Sequence, residues 1–103
     1  LLRSRILHAT INQWRGALAA ADRELTTCAA EAEGQNWPAI AAFAMQHRGK
    51  THFDAGEFEL ARADFKRALF LRQESGAGDA QIESALLAVD AADRRRAQQS
   101  AAS

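Results

Sequence analysis

From residue 49 to residue 69 the chain runs GKTHFDAGEFELARADFKRAL, and the small residues in this stretch restrict the fold more than any other feature. Gly49, Gly56, Ala61 and Ala68 interrupt a series of rings at Phe53, Phe58 and Phe65. Phe58, Ala61, Phe65, Ala68 and Leu69 follow the three-four spacing that gathers side chains on one face of an α-helix. A position with little or no side chain on such a face lets a second backbone come close. The spacing therefore predicts two helices in near contact, joined by a tight turn in which Gly56 takes the left-handed conformation that closes a helix.

The same logic extends along the chain. Leu2, Ile6 and Ala9 share one side of a first helix over residues 1–10, and Thr10-Ile11-Asn12-Gln13 has the residue types of a turn with a capping box. A second helix over 13–32 carries the stripe Trp14, Ala17, Leu18, Ala21, Leu25 and Cys28, with Gly34 as its stop. Asn36 as a cap and Pro38 in the first turn open a third helix over 37–54. A fourth covers 57–74. Gly76 and Gly78 break it, Asp79 caps a fifth over 79–97 whose apolar face is Ile82, Ala85, Leu86, Val89 and Ala92, and a frayed tail is expected over 99–103. No segment alternates with period two, so the expected class is all-α, with short loops setting sequential helices antiparallel.

Composition narrows the function. The 103 residues suffice for one domain with a modest core; hydrophobic residues make up 48%, mostly alanine, and tyrosine is absent. Close helix packing has to replace large side chains. Thirteen basic residues balance thirteen acidic ones, which removes the whole-molecule electrostatic argument for nucleic acid or an anionic membrane. The longest apolar run, residues 37–45, contains a proline and falls well short of the roughly 20 residues a membrane span needs. The single Cys28 gives no disulfide framework, so the cytoplasm is the expected compartment. LLRSRILHAT does not have the pattern of a signal peptide, and the missing initiator methionine points to a segment of a longer protein.

Sliding the chain against itself pairs Trp14 with Phe58, Ala17 with Ala61, Ala21 with Phe65 and Leu25 with Leu69 at an offset of 44, a length typical of stacked helical hairpins. The positions Gly49, Gly56, Phe58, Ala61, Phe65 and Ala68 resemble the signature of the tetratricopeptide repeat family: a small residue on the first helix, an aromatic just after the turn, a small residue three later, then a large aromatic and an alanine. The resemblance is good over 45–71 and fair over 1–31, with 79–97 as a closing helix. Arg48 and His52 depart from it, standing where the family usually has leucine and tyrosine. The offset also exceeds the family's roughly 34 residues, which is similar to the longer helices of the kinesin light chain subgroup and of repeat regions in some bacterial regulators.

What the resemblance implies is a short right-handed stack of about two hairpins and a capping helix, with a concave groove that receives an extended peptide or a partner helix. Its lining would include Phe43, Gln46, Lys50, Phe53 and Asp54. Lys50 and Gln46, one turn apart, suit holding a carboxylate or a peptide backbone group.

Other chemistry finds little support in the residues. His47 and His52 are five positions apart, about 140° of helix rotation, so their rings diverge, whereas a metal pair wants i and i+4. His52 is expected half-buried and His47 exposed. Cys28 reads as a small core filler, Trp14 as packed and Trp37 as freer to contact a ligand. Arg94, Arg95 and Arg96 suit the end of a helix, and pairs such as Glu59 with Arg62, or Arg62 with Lys66, suit a solvated outer face. No phosphate loop, nucleophile motif or paired-carboxylate constellation is present, so the expectation is a non-enzymatic module with no metal and no cofactor. It would bind a protein or peptide. Two further expectations stay open: self-association through exposed repeat ends, and an effector domain of a bacterial transcription regulator.

Overall fold

A computed structural model describes the backbone of residues 2–14 and 16–102, and the side chains of these residues apart from 12–14 and 102. It contains five helices, α1 (Leu2–Trp14), α2 (Leu18–Gly34), α3 (Pro38–Asp54), α4 (Phe58–Glu74) and α5 (Asp79–Ala102), and among the described residues there is no strand.

The turns between α2, α3 and α4, and the turn after α4, are built alike. After α3, the Glu57 N–H bonds the His52 carbonyl at 2.8 Å and the Gly56 N–H bonds that of Phe53 at 3.0 Å, the two bonds of a Schellman motif. Gly56 holds the left-handed position at φ 77°. The turn after α2 makes the same pair, Trp37 N–H to Ala32 at 2.8 Å and Asn36 N–H to Glu33 at 3.0 Å. Here Asn36 is the left-handed residue at φ 58°. Asn36 therefore closes α2 instead of capping α3, Gly34 is the last residue of α2, and Trp37 takes the N-cap position ahead of Pro38. Left-handed residues at 16, 36, 56 and 76 mark out the chain in equal steps.

That interval corrects the repeat. Three 17-residue helices start at 18, 38 and 58, so one hairpin follows the next at an offset of 40, not 44. In this register the buried residues coincide: Ala21 with Ala61, Leu25 with Phe65, Cys28 with Ala68, and Ala9 with Gly49. The expected turn over 10–13 does not form. Thr10 Oγ1 bonds back to the Ile6 carbonyl at 3.0 Å, which ties the hydroxyl into the helix it was expected to leave. α1 continues to Trp14, and the expected packing of the Trp14 side chain lies outside the described residues. At the other end α5 runs on through residues 99–102 instead of stopping at 97. Its alanines favour helix, and the Gln99 amide reaches the Gly56 carbonyl at 3.4 Å.

Sequential helices pack antiparallel. The pairs Arg72 with Gln81, Arg62 with Asp93 and Glu59 with Arg96 descend α4 as they climb α5. Contacts also skip a helix. Thr10 meets His47 and Arg3 overlies Phe43, which joins α1 to α3. Arg95 overlies Phe53, which joins α3 to α5, and Arg67 pairs with Glu33, which joins α4 to α2. The helices thus form two layers, α1, α3 and α5 in one and α2 and α4 in the other, in a body 42 × 30 × 20 Å.

The core lies between the layers. Leu2, Ile6, Leu25, Cys28, Met45 and Leu71 combine with seven buried alanines in one cluster, and Ala61, Phe65 and Ala92 form the centre of a second. Close approach is most severe at Gly49, where a Cβ would lie 2.5 Å from Cε1 of Phe65. Ala61 and Ala68 are fully buried. With cores this short of large side chains, the apolar area removed from water is gained by bringing backbones together.

Candidate functional site

α3 is the middle helix of its layer, and its two sides have different fates. The side toward α2 and α4 carries Arg48 and His52. Arg48 holds Asp64 in a two-pronged pair, Nε to Oδ2 at 2.9 Å and Nη2 to Oδ1 at 2.6 Å, and donates to Thr26 Oγ1 at 3.1 Å. His52 is buried, 8% exposed, where half-burial was expected. Its Nδ1 lies 2.9 Å from Glu57 Oε1, and its Nε2 lies 3.4 Å from Asp22 Oδ1 and 3.6 Å from Asp64 Oδ2. The ring ties three helices and a turn together. Among the described residues no group of three His, Cys, Asp or Glu side chains is placed to hold a metal ion.

The other side of α3 carries Phe43, Lys50 and Asp54, with Phe53 at its edge against Ala61 and Phe65 of α4 and Ala92 of α5. Phe43 is half-buried and meets the His47 ring edge-on at 4.6 Å between centroids. Lys50 is exposed and, among the described residues, forms no ion pair. Phe53 is half-buried, edge-on to Phe58 at 5.0 Å, and Asp54 is exposed at the end of the helix. Gln46 does not belong with them. It is 5% exposed, and its Oε1 has no hydrogen-bond partner among the described residues. In the 40-residue register it matches Ile6, an apolar core position.

His47, expected to be exposed, is half-buried, with Nδ1 3.3 Å from Thr10 Oγ1. Burial pushes its pKa down to about 4, and the charges of Lys50 and Arg72 act in the same direction. Cys28 is buried, with Sγ 3.7 Å from Glu24 Oε1, and burial pushes its thiol up, away from the reactive thiolate.

Residues from neighbouring helices complete the α3 surface. The Arg3 guanidinium of α1 sits 5.9 Å from the Phe43 ring centre, and Arg95 of α5 sits 5.8 Å from that of Phe53 and 4.9 Å from that of Phe58. Leu7 and Ile11 continue the Arg3 ridge at steps of four and are 55% and 47% exposed; Leu87, 59% exposed, leads by the same steps through Ala91 to Arg95. Arg3 of α1 and Arg95 of α5 thus border the outer face of α3 on its two sides. A cleft of about 790 Å³ is lined by Leu2, Arg3 and Arg5 of α1, by Glu31 and Gly34 at the end of α2, and by Trp37 and Ile40 at the start of α3. Trp37 is half exposed there.

Arg5, Arg48, Arg62, Arg67, Arg94 and Arg96 each pair with a carboxylate. Arg3, Arg23, Lys50, Lys66, Arg72 and Arg95 pair with none among the described residues. Arg72 is partly buried against the Gln81 carbonyl at 2.9 Å, and burial lowers its pKa. No family model, curated protein or solved structure matches this chain.

Proposed function

We propose that the chain is a non-catalytic protein-interaction module, a tetratricopeptide-like right-handed stack whose α1, α3 and α5 face receives a peptide or a partner helix, within a longer, cytoplasmic protein. The observation that carries this reading is the outer face of α3, where exposed Lys50 lies on the same face as the half-buried Phe43 and beside Phe53 at the α5 edge. Half-buried rings beside an uncompensated cation cost little to leave exposed and offer apolar contact with polar orientation to an incoming segment. Gln46, being buried, takes no part. Capture of partners by the intact protein, compared with its Lys50→Glu variant, tests the reading. Loss of a specific partner with unchanged thermal stability supports it, and equal capture by both counts against this face.

A second reading is self-association. Leu86 and Leu87 on α5 are 51% and 59% exposed. Repeat stacks with raw ends associate end to end. Light scattering over a concentration series separates the two, because a monomer at high concentration removes self-association. A transcription-regulator effector domain is compatible with either reading, and a helix-turn-helix elsewhere in the longer protein would favour it.

A further inference from the structure

The cleft where α1 and α3 begin is separate from the α3 face proposed above, and it is built around an aromatic side chain that the fold does not need. We infer that this cleft binds an uncharged aromatic small molecule of one or two rings, which stacks on the indole of Trp37.

The first observation is that position 37 has no structural call for a ring. Left-handed residues stand at 16, 36, 56 and 76, and the residues that follow them are Ala17, Trp37, Glu57 and Ala77. In the turns after α2, α3 and α4 the backbone of this residue does the same work. The N–H groups of Trp37, Glu57 and Ala77 bond back to the carbonyls of Ala32, His52 and Arg72 at 2.8, 2.8 and 2.9 Å. Alanine suffices for that. Trp37 nevertheless leaves a large apolar ring 47% exposed, on a backbone fixed from both sides, since its carbonyl accepts from the Ala41 N–H at 3.0 Å. Such a ring offers wide contact at low conformational cost.

The second is a cavity beside that ring. Its volume of about 790 Å³ lies within the roughly 300–1,000 Å³ of small-molecule sites. Leu2 and Ile40 supply further apolar wall, and Gly34 contributes bare backbone.

The third is charge balance. Arg5 is held between two carboxylates, Nε to Glu24 Oε1 at 2.8 Å and Nη1 to Glu31 Oε2 at 2.7 Å. Together with Arg3, these groups around the cleft carry no net charge. An ion of either sign would lose its water against Trp37, Leu2 and Ile40 with no local excess to offset the loss. The polar groups left over are donors. The indole N–H has no hydrogen-bond partner among the described residues, and Nη2 of Arg5 stands outside both ion pairs. They suit a neutral ring that carries a hydroxyl or carbonyl at its rim.

The test follows nitrogen–proton NMR spectra of the full chain during titration with 2-naphthol at pH 7, where its hydroxyl is protonated. The Trp37 indole N–H signal, identified by its loss in Trp37→Ala, should move along a saturating curve. Naphthalene-1-sulfonate and 1-naphthylmethylammonium, the same rings with a charge, should each bind about tenfold or more weakly. Decahydro-2-naphthol, the same frame without aromaticity, should do likewise. Trp37→Ala, read from the backbone amides of Gly34 and Ile40, should weaken 2-naphthol about tenfold or more. This variant should fold, because Ala17 and Ala77 hold the equivalent places, and its melting temperature checks that. Ile40→Ala should weaken 2-naphthol severalfold. Lys50→Glu should leave it unchanged, so the cleft is judged independently of the α3 face. The assignment is overturned by the absence of a saturating shift, by equal affinity for the four compounds, or by unchanged affinity in folded Trp37→Ala. Tighter binding of the sulfonate would make the cleft an anion site led by Arg3 and would overturn the uncharged ligand.

Discussion

The two sides of α3 carry similar residues under opposite rules. On the inner side Arg48 and His52 are enclosed by Asp22, Glu57 and Asp64, so polar groups are buried and matched. On the outer side Lys50, with Arg3 and Arg95 beside it, lies next to the rings of Phe43 and Phe53 and has no carboxylate partner among the described residues. Matched polar groups fix a structure. Unmatched cations over apolar surface leave interaction energy for something else to use. The inner side should therefore respond to mutation in stability, and the outer side in binding.

The largest stability effect is expected at Asp64. Asp64→Ala removes the buried acceptor of Arg48, leaves a guanidinium without its partner, and should cost about 3 kcal/mol in urea unfolding. A change within experimental error would mean the pair is ornamental, and the comparison would lose its inner half. Gly49→Ala should come next, at about 1–3 kcal/mol, because the new methyl collides with the Phe65 ring. Phe65→Leu in the same background should recover part of the loss, which a generic helix effect would not.

Asn36 offers a smaller, two-sided test. Asn36→Val forces a branched side chain into the left-handed region and should cost about 1–2 kcal/mol, whereas Asn36→Gly should be close to neutral. His47 sharpens the comparison through pH. Its folded pKa of about 4 lies below the ordinary 6.5, so between these values the unfolded chain binds more protons. Stability from the neutral ring is then fully present above about pH 6.5 and is lost as pH falls toward 4. Melting at pH 7 and pH 5 should show a drop in the wild type that His47→Gln reduces. An identical drop in both would place the titration elsewhere. Lys50→Glu should have the smallest effect on unfolding, near zero.

How far the sequence led depends on what each residue's neighbour had to be. The turn at Gly56 and the helices on either side of it were legible because one left-handed glycine and a three-four stripe are local signals. The first turn was not, because Thr10 can either cap a new helix or bond back to Ile6, and only the completed α1 decides between them. The 44-residue offset followed the bulky rings of Trp14 and Phe58, whereas the true interval of 40 is carried by small residues, Ala21 with Ala61 and Ala9 with Gly49. Size matters less than position in a core made of close backbones.

The site was legible as a helix and not as a surface. Phe43, Lys50 and Phe53 could be placed on α3 from spacing, but Gln46 was placed beside them because a polar residue next to a lysine looks exposed. Its burial depends on how the neighbouring helices close around it. Arg3 and Arg95 were missed because they reach the α3 face from helices far away in sequence. The only local sign was the run of i+4 steps from Arg3 through Leu7 to Ile11, and from Leu87 through Ala91 to Arg95.

The most direct measurement is photo-crosslinking in cell extract, with a light-activated side chain placed at position 50 on the open face of α3 or at position 66 on the outer face of α4. The account predicts a partner adduct from position 50 and none from position 66. Adducts from 66 alone, or equally from both, would contradict it.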